Sequence, residues 1–150
     1  MRRLCRSGFG ALFVAVLALC VSGCGGASGP PRAKIRGEIT NNGEPLKVKP
    51  MVGRVQVTFY PVTEPGQPPS DPQEAAVLPS GEFKVHGTDG KGILLGKYKI
   101  AVRQWEEFPN KDVLQGKCDK DNTKFIRDVT GKEDIILDVK DVMTEISAGK

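Results

Sequence analysis

Few side chains in this sequence could do chemistry, and they are scattered. The chain has four cysteines, Cys5, Cys20, Cys24 and Cys118, a single histidine, His86, and a single tryptophan, Trp105. A thiol is reactive as its thiolate, and a zinc centre needs about three or four protein ligands. Beyond Cys24, His86 and Cys118 are the only soft ligands, so no metal centre is predicted. His86 shares parity with Glu82 and Lys84 and is expected to face solvent. Cys118 sits in a polar run between Lys117 and Lys120 and reads as an incidental thiol in a loop. Trp105 and Phe108 lie in an irregular stretch beside Glu106 and Glu107. An exposed tryptophan there would suit contact with a glycan or a peptide; the bland alternative is that it folds back as a cap on the domain edge.

Known catalytic and ligand motifs fail on inspection. No Gly-x-Ser-x-Gly elbow is present. The run Asp119-Lys120-Asp121-Asn122-Thr123 begins like a calcium loop, but Lys124 stands where an EF-hand needs Gly and Thr130 where it needs Glu. The Gly87–Gly92 loop lacks the Gly-Lys-Ser/Thr of a phosphate loop. The chain is therefore read as not an enzyme, with no catalytic residue and no cofactor.

The remaining chemistry is at Cys24. Arg2, Arg3 and Arg6 precede an apolar run, Gly8–Val21, with no acid before Glu38. This is the order of a secretory signal, and the run is shorter than the roughly 20 residues that span a bilayer. It ends in Val21-Ser22-Gly23-Cys24. That sequence resembles the lipobox of bacterial lipoproteins, in which an aliphatic residue and two small ones precede a cysteine. The resemblance implies that Cys24 is acylated and becomes the first residue of the mature chain. Cys20 is the poorer acceptor, because bulky Leu19 precedes it. The alternative is an ordinary signal peptide, which would leave Cys24 free or paired with Cys118. Acylation implies a partner, the membrane, reached through lipid rather than a helix. The location expected is the cell envelope, outer membrane or periplasm-facing, since Gly25 stands where an inner-membrane retention signal would place Asp.

The organisation that follows is 1–23 signal, 24–33 tether, 34–140 domain and 141–150 tail. Residues 25–33 are Gly-Gly-Ala-Ser-Gly-Pro-Pro-Arg-Ala, a stretch with little that can pack. The formal charge of +4 is mostly that of the three signal arginines, so the mature chain is nearly neutral and no nucleic-acid partner is indicated. Period-two alternation marks strands at 34–40, 55–60, 75–78, 82–86, 93–103, 124–129 and 134–140. The inward rows are Ile35 and Ile39; Val55, Val57 and Phe59; Phe83 and Val85; Tyr98, Ile100 and Val102; and Ile135, Leu137 and Val139. Asn41-Asn42-Gly43 is a hairpin turn. The prolines between Pro61 and Pro72 exclude an inner strand there. Residues 104–123 break the alternation, with a helical turn expected near 111–115, and the tail from Asp141 has no evident partner. The fold class expected is all-β, an antiparallel Ig-like sandwich of about seven strands.

Four punctuation marks then point to a family. They are Gly37-Glu38-Ile39-Thr40-Asn41-Asn42-Gly43-Glu44-Pro45-Leu46, Val57-Thr58-Phe59-Tyr60-Pro61, Leu78-Pro79-Ser80-Gly81-Glu82-Phe83 and Leu95-Gly96-Lys97-Tyr98. In this order they resemble carboxypeptidase-regulatory-like, transthyretin-like domains. The resemblance implies a small lipoprotein whose domain has a structural or binding role. A transthyretin-like hydrolase is the unfavoured alternative, because that enzyme uses several histidines and a Tyr-Arg-Gly-Ser terminus. This chain has one histidine and ends Ser-Ala-Gly-Lys.

Overall fold

The computed structural model describes residues 29–49, 51–63, 70–132 and 134–149. The signal segment, Cys24, residues 25–28 and residues 64–69 of the proline-rich loop lie outside the described residues. The strands are β1 Arg32–Ala33, β2 Ile35–Asn41, β3 Glu44–Pro45, β4 Arg54–Pro61, β5 Gln73–Ala76, β6 Glu82–Val85, β7 Ile93–Leu94, β8 Gly96–Trp105, β9 Ile126–Val129 and β10 Ile135–Asp138. One short helix, α1 Lys140–Ala148, follows them among the described residues. The fold is thus mostly strand, and the all-β class expected from alternation is present.

One sheet runs β5-β4-β8-β9 with every pair antiparallel. Its axis is the long β4–β8 ladder, from Arg54 opposite Trp105 to Pro61 opposite Tyr98. The other sheet centres on β2, with β10 along one side and β3 and β6 along the other. A short β1–β7 ladder lies apart from both. The β2–β10 pair is parallel, which corrects the expectation of a wholly antiparallel domain. The reason is the route of the chain. β9 belongs to the first sheet and β10 to the second, so the two strands do not form a hairpin. The stretch 75–86 also divides. A tight turn closes it, with Leu78 N–H donating to Glu82 O and Gly81 N–H to Leu78 O. Beyond that turn, β5 joins one sheet and β6 the other.

Every residue assigned inward by alternation is buried, from Ile35 at 2% exposed to Val139 at 0%. The rows of both sheets share one core, with the Phe59 ring 6.1 Å from Phe83 and 5.9 Å from Tyr98. The turn at Asn42 and Gly43 uses positive φ at both residues, as its composition requires. Gly37 is a packing glycine, because a Cβ there would collide with the Phe83 ring and the Ile135 carbonyl.

The tail has a partner after all. Helix α1 starts directly after buried Val139, and Val142 and Met143 rest against the core. No residue of the helix is fully buried, and its N-cap residue, Val139, makes no side-chain cap hydrogen bond. Its nine residues are too few for a stable isolated helix, so docking must hold it. This explains why the sequence pattern was weak.

Candidate functional site

The segment 104–123, expected to be irregular, is the part of the domain whose composition invites a site; its first two residues, Gln104 and Trp105, in fact close β8. Its geometry is that of a packed strap. It turns back after β8 and returns along that strand's open edge, meeting it at separated points. Val113 N–H donates to Gln104 O at 2.6 Å, Val102 N–H to Cys118 O at 3.0 Å and Ile100 N–H to Phe125 O at 2.8 Å. The Thr123 hydroxyl, buried, donates to Ile100 O at 2.6 Å. The edge of β8 is therefore satisfied without a continuous strand, which is why no alternation was visible.

Asp112 organises the strap. Its carboxylate accepts from the backbone amides of Gln104 (3.3 Å), Leu114 (3.0 Å) and Gly116 (2.8 Å). The chain then turns through left-handed Gln115 and Gly116, so the helical turn expected at 111–115 is a series of tight turns. This drives Leu114 to 0% and Cys118 to 1% exposure. Asp112 was not singled out from the sequence; the signal available was an Asp four residues before a glycine.

Cys118 is accordingly not a loop thiol but a core residue. Burial pushes its pKa up to about 11, the carboxylates of Asp112, Asp119 and Glu145 add to the shift, and Lys124 opposes it. A thiol in this state is a poor nucleophile at neutral pH. His86 is exposed, as its parity predicted. Asp119 is engaged by Arg103 Nε at 2.6 Å, and the backbone amides of Asn122 and Thr123 close the loop onto its carbonyl. No cluster of three or more metal-ligating side chains occurs among the described residues.

Trp105 and Phe108 are brought together, their rings edge to face at 5.1 Å. Trp105 ends β8 opposite Arg54 and is only 9% exposed. Phe108 is 49% exposed and carries the Arg54 guanidinium 4.9 Å from its ring centre. Trp105 is therefore covered, and Phe108 is the aromatic surface that remains. Trp105 also borders a cavity of about 400 Å³, bounded as well by Lys47, Lys49, Gln104, Lys111 and Met143. Gln104 anchors its floor, with Nε2 donating to Lys47 O at 3.1 Å. The Gln104 Oε1 is buried with no partner among the described residues. A second cavity, of about 420 Å³, separates α1 from the strap and is lined by Cys118, Phe125, Val142 and Glu145 among others.

Among the described residues no helix is long and apolar enough to cross a membrane. Comparison with protein-family models, with curated proteins and with solved structures finds no match to this chain.

Proposed function

We propose that this is a lipid-anchored module of the bacterial cell envelope, tethered through Cys24, with a structural or binding role and no catalytic one. The observation that carries the reading is Val21-Ser22-Gly23-Cys24 at the end of an apolar run preceded by three arginines. Two acyl chains anchor a protein stably, at about 0.8 kcal/mol per buried methylene. The non-catalytic part is supported by how the polar groups are spent. Asp112 serves the backbone, Asp119 serves Arg103, and burial quenches Cys118. The finer fold belongs to the same proposal: a transthyretin-like sandwich of about seven principal strands, of the carboxypeptidase-regulatory-like kind.

Metabolic labelling with a fatty-acid analogue tests the anchor. The wild-type chain takes the label and Cys24→Ala does not. Label retained in that variant, or absent from the wild type, overturns the reading.

A second reading makes the Phe108 end a contact for a glycan or peptide. Half-exposed Phe108 favours it, and covered Trp105 weighs against a broad aromatic platform. Titration of glycans and peptides against Trp105 fluorescence tests this reading. It fails if no ligand shifts the emission.

A further inference from the structure

The long strand β8 separates two unlike ends of the domain. Its ten residues, at about 3.3 Å each, hold Gly96 roughly 30 Å from Trp105. The Trp105 end carries the strap. The Gly96 end is where the amino-terminal tether joins the domain. There Leu95 N–H donates to Pro31 O at 3.0 Å, and Arg32 and Ala33 pair with Leu94 and Ile93.

Three chain segments converge at that junction. Gly92 lies against the Ala33–Lys34 backbone, and Gly131 lies against the Ala33 methyl group and within van der Waals reach of Leu95. The converging segments carry four exposed basic residues, Arg32, Lys34, Lys91 and Lys132, and Leu95, itself 38% exposed. The acids nearby are Asp71 and Asp89 on the adjoining cleft and Asp128, which stands opposite Lys97 in the β8–β9 ladder. Asp89 is already engaged by Arg32 at 3.3 Å and by the Lys91 amide at 3.1 Å. Lys34 and Lys132 make no ion pair among the described residues.

We propose that this junction, through exposed Leu95 and the lysines of the converging segments, Lys34, Lys91 and Lys132, is a docking surface for an anionic phospholipid membrane. The occupant follows from where the chain outside the described residues leads. The geometry rests on the reading of Cys24 as the acylated residue. From Cys24 to Arg32 the backbone reaches at most about 28 Å, so this end, not the strap, faces the bilayer. An exposed leucine on a junction that also carries exposed lysines suits a headgroup surface. The apolar group enters the interface, and the ammonium groups, on flexible stems, meet phosphate.

The test uses the full chain, purified from membranes and placed in vesicles of phosphatidylcholine, with or without phosphatidylglycerol. An environment-sensitive dye is attached at Leu95→Cys or, as a control beyond the far end of β8, at Asn110→Cys. Buried Cys118 stays unlabelled. The dye at 95 should shift to the blue only with phosphatidylglycerol, and the dye at 110 should not respond. High salt should reverse the shift. Each of Lys34→Gln, Lys91→Gln and Lys132→Gln should lower the docked-to-undocked ratio about five-fold, while Lys49→Gln, near the far end, leaves it unchanged. No shift at 95, an equal shift at 110, or a shift that survives the triple lysine variant overturns the proposal. The mass of the acyl group on the same purified Leu95→Cys chain, read beside the dye, separates the two ideas. Response without acylation keeps the docking surface and removes the anchor. Acylation with a silent dye does the reverse.

Discussion

At the scale of single residues, Asp112 and Cys118 show how a polar-looking stretch becomes part of the core. One carboxylate satisfies three backbone amides and thereby turns the chain so that Leu114 and Cys118 point inward. Asp112→Ala leaves those amides without their acceptor and should cost about 2 kcal/mol in urea denaturation, with Trp105 emission moving to the red. Asp112→Asn, which keeps one acceptor oxygen, should lose less. Stability unchanged in the alanine variant would show that water replaces the carboxylate at no cost. Cys118 should react with a thiol reagent at pH 8 far more slowly in the native protein than in urea, because burial both shields it and pushes its pKa to about 11. Equal rates would contradict the buried placement. Gly37→Ala sets a methyl group into the Phe83 ring and the Ile135 carbonyl and should destabilise by roughly 1–3 kcal/mol.

At the scale of elements, α1 is the least secure part of the domain. Its anchors are half-buried Val142 and Met143 and the ion pairs of Glu145 with Lys117 and Lys124, both at 3.3 Å. These pairs are well exposed and screened by solvent, so they add little to stability. Ending the chain after Lys140 should therefore cost little stability, on the order of 1–2 kcal/mol, while speeding the labelling of Cys118, which lines the cavity beneath the helix. Labelling at an unchanged rate would mean that the strap alone shields the thiol. The strap is the firmer element, because its hydrogen bonds fall on β8, the strand at the centre of the larger ladder.

At the scale of the whole molecule, the second sheet is closed by a strand from the far end of the sequence, and Asp138 ties that closure. Its carboxylate accepts from the amides of Asn42 and Gly43 in the β2–β3 turn and from Lys140 at the start of α1. Desolvation works to raise its pKa, but these backbone hydrogen bonds outweigh it and hold the carboxyl below its ordinary value. A group depressed in the folded state stabilises fully above its unfolded pKa and loses that contribution as pH falls through the folded value. The difference in urea stability between wild type and Asp138→Asn should therefore be largest at neutral pH and shrink below about pH 4. A difference that does not change with pH would remove the charged carboxylate from the account.

How much was legible follows the reach of each cause. Strand positions and their inward faces were readable because alternation is local: a residue and its second neighbour share a face whatever lies opposite. The Asn42-Gly43 turn was readable for the same reason, since positive φ at both residues is a property of those residues. The lipid anchor proposed at Cys24 rests on sequence alone, and its residues lie outside the described ones. Tertiary structure decided what depends on distant partners. It set β10 parallel to β2, because direction comes from the crossover and not from the strand. It buried Cys118, because a carboxylate six residues earlier bends the chain. It docked α1, whose weak apolar face had no meaning until the core offered Val142 and Met143 a place. It also covered Trp105 with Phe108, turning the most conspicuous binding candidate in the sequence into part of the domain's edge.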